Sequence, residues 1–437
     1  MSESAEAAAA EPMSGVKAYW VLLALVAGLL AGMLANTLGE GFRQPSLQAA
    51  TMIGGLWLNA LKMTVIPLIV ALLVIGIAAG VEAARAGRIA GRAIMWFVIV
   101  CTSSAILAAL LMPLLLQLFP LGEGSATALR SGLAALDPAA TPDTVPGVAD
   151  FFSAIIPDNV IAAAAKGEVL QLVVFALLFA LAITRIEPTR RRALVGVFQA
   201  VADALLVVIA WVLWIAPLGV FSLAFAVGAG AGGAAFTGLL HYIVLVSVLG
   251  LIVTAIGYGI AIFAGRISPA RFARAMIGPQ AVAISTQSSL ASLPAMLAAS
   301  RLMGISQRST DVVLPLSVAL FRATGPAMNL AVAIYMAHWL GVDIGVPALV
   351  AGTAVAAVVS YGSVSLPGTV SFFASIAPIA MAMGVPIGPL ALLVAVEVLP
   401  DIVRTVGNVT LDVAVTTAVD EREAEEPLAP GDRPHAV

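Results

Sequence analysis

The sequence predicts an all-α polytopic membrane protein with about eight transmembrane helices and two re-entrant helical hairpins. Three observations carry that expectation. The 437 residues are 61% hydrophobic and only 10% charged, with a mean hydropathy of +1.07, whereas soluble domains carry about 25% charged residues. Apolar stretches of the length a bilayer requires, about 20 residues, recur along the chain. Two segments near the carboxy terminus then depart from plain spans in the same way. The composition also excludes other classes. A net charge of -3 is too small to suggest nucleic acid as a partner. The single cysteine, Cys101, rules out an intrachain disulfide and any multi-cysteine metal site. The histidines, His241, His338 and His435, are scattered, and no HExxH, Walker A, CxxC or GxSxG arrangement points to an enzyme.

Residues 1–16 are small, polar and acidic and read as a disordered cytoplasmic leader, not a signal peptide. The first span runs from about Ala18 to Leu38. The second, about Leu47 to Gly80, is overlong and tilted, and Arg85, Arg88 and Arg92 follow it. A third covers roughly Ala93 to Leu118, before a polar loop that reaches about Gly147. A fourth ends at Arg185, with Arg190, Arg191 and Arg192 directly after. The fifth runs from about Val195 into "GAGAGG", and the sixth from about Thr237 to Ala264, followed by Arg266, Arg271 and Arg274. Basic residues therefore cluster in alternate loops, which predicts cytoplasmic amino and carboxy termini. The acidic "DEREAEE" begins a solvated tail, 421–437.

The last third holds the two unusual segments. "PQAVAISTQSSLASLPAMLAA" is apolar, then Ser/Thr-rich, then Leu293-Pro294, then apolar again. "AVVSYGSVSLPGTVSFFASIAPIAMAMG" repeats the plan around Leu366-Pro367. A bilayer tolerates non-helical backbone only where it is buried in protein or lines a watery cavity. Matching interrupted segments in corresponding halves predict inverted repeats and a binding site near the midplane.

The final span contains "VLPDIVRTVGNVTLD", preceded by Glu397. On a helix, Glu397, Asp401, Arg404, Thr405, Asn408 and Asp412 recur at spacings of three and four and share a face. Each ionised group at the bilayer centre costs about 2.5–3.5 kcal/mol on insertion scales, so the face must look into protein or a cavity. An isolated Asp401–Arg404 pair would read as an internal lock of the helix. Six polar groups on one face read as function.

These stretches resemble the dicarboxylate/amino acid:cation symporter family, the glutamate transporters and their prokaryotic relatives, over nearly the whole chain after residue 18. "LNALKMTVIPLIVALLVIGIAAG" looks like the family's second helix, and "FFSAIIPDNVIAAAAKGEVLQLVVFALLFALAIT" like its fourth. "IAPLGVFSLAFAV" looks like its fifth, and "STQSSLASLP" stands at its serine-rich first hairpin tip. "DIVRTVGNVTLD" matches its eighth-helix pattern Asp-x-x-Arg-Thr-x-x-Asn-x-x-x-Asp in register. The resemblance implies a glutamate-transporter-like fold and a homotrimer in the bacterial inner membrane, in contact with membrane lipid. It implies scaffold helices one and two in 17–92, and helix three with an extracellular loop in 93–147. Scaffold helices four and five would occupy 148–235, and the transport domain core 236–420. That domain would move as a unit, giving elevator-type alternating access.

The resemblance also implies roles. Arg404 would bind the substrate's side-chain carboxylate, and Asp401 its ammonium. Thr405 and Asn408 would hydrogen-bond its polar groups, and Ser288 and Ser289 its α-carboxylate. Gly362, Ser363, Pro367 and Gly368 would belong to the tip of the extracellular gate. Asp412 with Asn408 would form a cation site, a possible sodium site, since hard cations choose carboxylate and carbonyl oxygens. An acidic amino acid is the first expectation and a C4-dicarboxylate the second; a transport-deficient sensor of the same fold is a third reading. No cofactor is implied beyond the coupling ion.

The pattern breaks in the seventh helix. Where the family carries Asn-Met-Asp-Gly-Thr, this chain has "FRATG". Phe321 replaces the asparagine, Arg322 the methionine and Ala323 the aspartate. Glu397 stands where an aspartate is common, and Leu290 interrupts the serine triplet of the hairpin. Arg322 is expected to fill a vacated cation site or to pair with Glu397 or Asp412. Three driving modes stay open: sodium at Asp412, a proton on Glu397, or no cation.

Overall fold

The computed structural model describes residues 18–127, 155–361 and 368–420. Their secondary structure is helical, with no strand among them. In chain order, α1 is Ala18–Ala35, α2 Glu40–Arg85, α3 Arg88–Leu118, α4 Val160–Lys166 and α5 Val169–Ile183. Next come α6 Pro188–Trp214, α7 Ala216–Ala231 and α8 Ala234–Phe263. The first hairpin is α9 Pro269–Thr286 and α10 Ser289–Leu302. After it, α11 Gln307–Leu320 and α12 Gly325–Leu340 lead to the second hairpin, α13 Val346–Val359 and α14 Gly368–Ala382. The chain ends in α15 Leu390–Val396 and α16 Val398–Val419.

Six stretches among the described residues are long and apolar enough to cross a bilayer: α2, α3, α6, α8, α11 with α12, and α16. The remaining apolar helices are shorter pieces. At 1.5 Å per residue, the 46 residues of α2 extend about 69 Å, more than twice the ~30 Å hydrocarbon core, in keeping with the overlong second span.

The boundaries differ from the sequence reading where glycine and proline intervene. The predicted fifth span is two helices, because Pro217 in the first turn of α7 cannot donate back into α6. The fourth is divided at Gly167, whose φ of 74° caps α4 in the left-handed conformation. The third helix begins at Arg88, five residues earlier than hydropathy suggests, since arginines can extend a span into the interface.

Two packing groups emerge. In one, α2 lies against α5, α6 and α7, and α1 crosses α7. In the other, α16 packs on α8 and the first hairpin, α3 on α12 and α13, and α14 on α12 and α13. At the α1–α7 crossing Gly28 and Gly32 face Phe221 to Ala229. A Cβ on Gly32 would lie 2.8 Å from the Ala229 amide nitrogen, and one on Gly228 would lie 2.9 Å from Leu29 Cα. Small residues at this spacing let membrane helices pack backbone to backbone. Gly32→Val is expected to destabilise by about 1–3 kcal/mol, the ordinary cost of overpacking. A melting curve in detergent unchanged from wild type would refute so close a crossing.

Candidate functional site

Three helix interruptions meet in the second group. The first is the tip of the α9–α10 hairpin. Gln287 ends α9 with a φ of 51°, and Ser288 then caps α10, its Oγ accepting from the Ala291 amide at 3.2 Å. The free amides of a helix's first turn and its dipole favour an anion there. The second interruption separates α11 from α12. Pro326 lacks the N–H that would continue the helix back to Arg322, and its ring clashes with that carbonyl. Phe321 is accordingly extended, with φ -111° and ψ 105°. The third separates α15 from α16 at Glu397, where Pro400 likewise cannot donate to the Val396 carbonyl.

The α11–α12 turn is sewn to α16. Thr324 donates its backbone N–H (3.0 Å) and its hydroxyl (2.8 Å) to Asn408 Oδ1, and its hydroxyl also reaches the Arg404 carbonyl (2.9 Å). Gly407 permits this approach: a Cβ there would stand 2.7 Å from Thr254 Oγ1 and collide with Thr324.

A cavity of about 130 Å³ opens between these elements. It holds more than one water but is smaller than the 300–1,000 Å³ of sites for drug-sized ligands, so it suits a small ligand. Asp401, Arg404, Thr405 and Asn408 line it from α16, and Ser288 and Ser289 from the hairpin tip. Phe321 and Arg322 come from the α11–α12 turn, and Ser371 from α14. The predicted substrate residues on α16 and the first hairpin are therefore neighbours. Gly362, Ser363 and Pro367 lie outside the described residues, and Gly368 opens α14.

Arg404 is the electrostatic centre. Its Nη1 donates to Asp401 Oδ1 at 3.0 Å and meets Glu397 Oε1 as an ion pair. Tyr242 of α8 donates to the other Glu397 oxygen at 2.9 Å. The helix lock Asp401–Arg404 is thus present, but it occupies one nitrogen only. Arg404 Nε and Nη2 are buried and donate to nothing within the described residues. That edge of a guanidinium is shaped for two parallel bonds to a carboxylate. Two carboxylates already share one cation, so Glu397 stands beside Arg404 rather than free to face an ion alone.

Asp412 lies one turn deeper, fully buried, and neither of its oxygens accepts a well-formed hydrogen bond. Ser317 lies beside it but donates to Leu314 O at 2.9 Å, and the charge acting on it is Arg322. Asn408, its expected companion as a cation ligand, already receives both Thr324 donors on Oδ1.

Arg322 sits at the cavity wall, and its Nη1 donates to Ser371 Oγ at 3.1 Å. It forms no ion pair with Glu397 or Asp412, because the turn directs it towards the cavity and α14. Phe321 turns the other way and stacks on Phe97 of α3, centroids 4.4 Å apart and planes 10° from parallel. The Ala323 carbonyl accepts from Ser104 at 2.9 Å.

Sequence reasoning missed Tyr242, Ser371 and Ser317. No motif marks any of them, and the importance of each depends on which neighbour the fold sets against it.

Comparison with known proteins agrees with this architecture. The chain is 27% identical to the proton/glutamate-aspartate symporter of Escherichia coli (strain K12), over 90% of this chain and 89% of that one. It is 28% identical to the proton/sodium-glutamate symport protein of Bacillus subtilis (strain 168), over 88% of each chain. It is 30% identical to the C4-dicarboxylate transport protein of Rhodopseudomonas palustris (strain HaA2), over 84% of this chain and 79% of that one. The model of the sodium:dicarboxylate symporter family matches residues 18–422. With that match over nearly its whole length, and apolar helices able to span a bilayer, the chain is an integral membrane protein that belongs to the sodium:dicarboxylate symporter family.

Proposed function

We propose that this protein is a secondary active transporter of a small acidic substrate, aspartate or glutamate first, moved across the bacterial plasma membrane by an elevator-type mechanism. The single observation that carries the reading is the unused Nε/Nη2 edge of Arg404 beside a small polar cavity. A buried donor pair with no partner costs free energy unless something accepts from it, and a substrate carboxylate has the matching geometry. Asp401 gives the cavity a negative group suited to an ammonium. Thr405 and Asn408 supply polar contacts, and Ser288 with Ser289 and the α10 amino terminus supply donors for a second carboxylate. The relatives' names support both an acidic amino acid and a C4-dicarboxylate.

The close packing of α7 on α1 and α2, and of α16 on α8 and the first hairpin, with α2 meeting α3 between the two groups, supports a scaffold and a moving domain. The exposed apolar side chains of α6, Val197, Val201, Trp211 and Trp214 among them, suit lipid or neighbouring subunits of a trimer. The first two arginine clusters sit at one end of the molecule: Arg191 pairs with Glu82 at 3.4 Å, and Arg85 donates to Thr184 O at 3.3 Å. That arrangement supports a cytoplasmic face there.

Coupling follows from charge. Adding a substrate carboxylate to a guanidinium already shared by Glu397 and Asp401 leaves an excess of negative charge, and a proton on Glu397 cancels it. Proteoliposomes containing the full chain are expected to accumulate labelled aspartate above the external concentration under an inward proton gradient. Binding without accumulation under any gradient would identify a sensor instead.

A further inference from the structure

Resting on the transport reading above, we infer that Arg322 is a second anion-reading side chain of the cavity, so that the substrate is held between two guanidiniums, one for each of two carboxylates. Arg322 lines the same cavity as Arg404, yet among the described residues no carboxylate lies within ion-pair distance of it. Its one hydrogen bond among the described residues, from Nη1 to Ser371 Oγ, is to a neutral hydroxyl. A cation inside a membrane-spanning bundle is retained where it meets an anion, and Asp401, the cavity's own acid, is committed to Arg404.

The chain's local structure holds Arg322 there. Residues 321–324 lie between α11 and α12, and Phe321 is extended, so adjacent side chains diverge. Phe321 stacks on Phe97, and Thr324 is bonded to α16. Arg322 is left facing the cavity with Ser371 steadying one nitrogen. The Ser288–Ser289 tip borders the same space, so an anion beside Arg322 would also meet the α10 amino terminus. Forked guanidiniums read carboxylates by shape as well as charge. Two of them in one small cavity select a ligand with two carboxylates over one with a carboxylate and a neutral end.

The test pairs a chemical change in the ligand with a change in the protein. Succinate and its monoamide, succinamate, differ by one negative charge at nearly constant size. Binding of each is measured by calorimetry on the full chain in detergent, for wild type, Arg322→Met, Arg322→Lys and Ser371→Ala. Labelled aspartate and succinate uptake is measured in wild-type liposomes. Wild type is expected to prefer succinate, and Arg322→Met to lose roughly 10–100-fold in succinate affinity with little change for succinamate. Arg322→Lys should keep part of the preference, as a charge without the fork. A succinate-to-succinamate ratio in both Arg322 variants equal to that of wild type overturns the inference while transport stands. Wild-type liposomes that accumulate neither substrate under any gradient overturn the transport reading, and this inference with it. If Arg322→Met does not fold, Arg322→Lys and Ser371→Ala decide: unchanged discrimination in both counts against the inference.

Discussion

Arg404→Cys is expected to lower affinity for aspartate by about 100- to 4,000-fold, the range for truncating one member of a buried ion pair. Two separate losses contribute. The substrate carboxylate loses the free Nε/Nη2 edge, and Glu397 with Asp401 lose the nitrogen they share. The first predicts a change of specificity: with no guanidinium to satisfy, small neutral amino acids such as serine should now bind. The second predicts a fall in stability, because Glu397 is left buried with Tyr242 as its hydrogen-bond donor. Glu397→Gln in the same chain should restore the melting temperature without restoring aspartate binding. Calorimetry with aspartate and serine separates the two effects. Unchanged aspartate affinity in Arg404→Cys would end the assignment of Arg404 to the substrate.

The two halves of that prediction were unequally legible in the sequence. The shared face of Asp401, Arg404, Thr405, Asn408 and Asp412 follows from helical periodicity, and the structure keeps it on α16. The serine-rich tip was legible because a polar run followed by Leu-Pro cannot be a plain span. Tyr242 was not. It lies 155 positions from Glu397, and no local pattern says that α8 will face the seam between α15 and α16. Ser371 was hidden for the same reason. Phe321 illustrates a subtler limit. Its side chain announces the loss of an oxygen ligand, but not that the ring would find Phe97 and fill the space with a stacked pair. The divided helices α6–α7 and α4–α5 were legible in retrospect from Pro217 and Gly167. Hydropathy averages over such positions and joins what they separate.

Sodium is expected to have little effect on uptake, with accumulation following a proton gradient or counter-substrate instead. The family's seventh-helix site draws oxygens from an asparagine and an aspartate, and here that position offers Phe321 and Ala323. The ring of Phe321 is committed to Phe97, and the Ala323 carbonyl to Ser104. Asn408 Oδ1 takes two hydrogen bonds from Thr324, so it would have to break them to reach an ion. Asp412 keeps its oxygens, but it lies in the field of Arg322. Like charges repel, and the more so where water is excluded, so the guanidinium disfavours a second cation at Asp412. On the proposed reading, a fixed guanidinium would do part of what a diffusible cation does elsewhere, without being released on either side. It would then offset charge without coupling transport to an ion gradient. On the proposed proton coupling, the proton that accompanies substrate is expected on Glu397, the carboxylate that shares its cation with an incoming anion. Uptake of labelled aspartate is measured with an imposed sodium gradient and no pH gradient, with choline as the control, and then with a proton gradient alone. Glu397→Gln should abolish the response to the proton gradient while leaving exchange. Strong sodium-driven accumulation in wild type that disappears in Asp412→Asn would mean that Asp412 still binds the ion despite Arg322, and the assignment of coupling to Glu397 would fall.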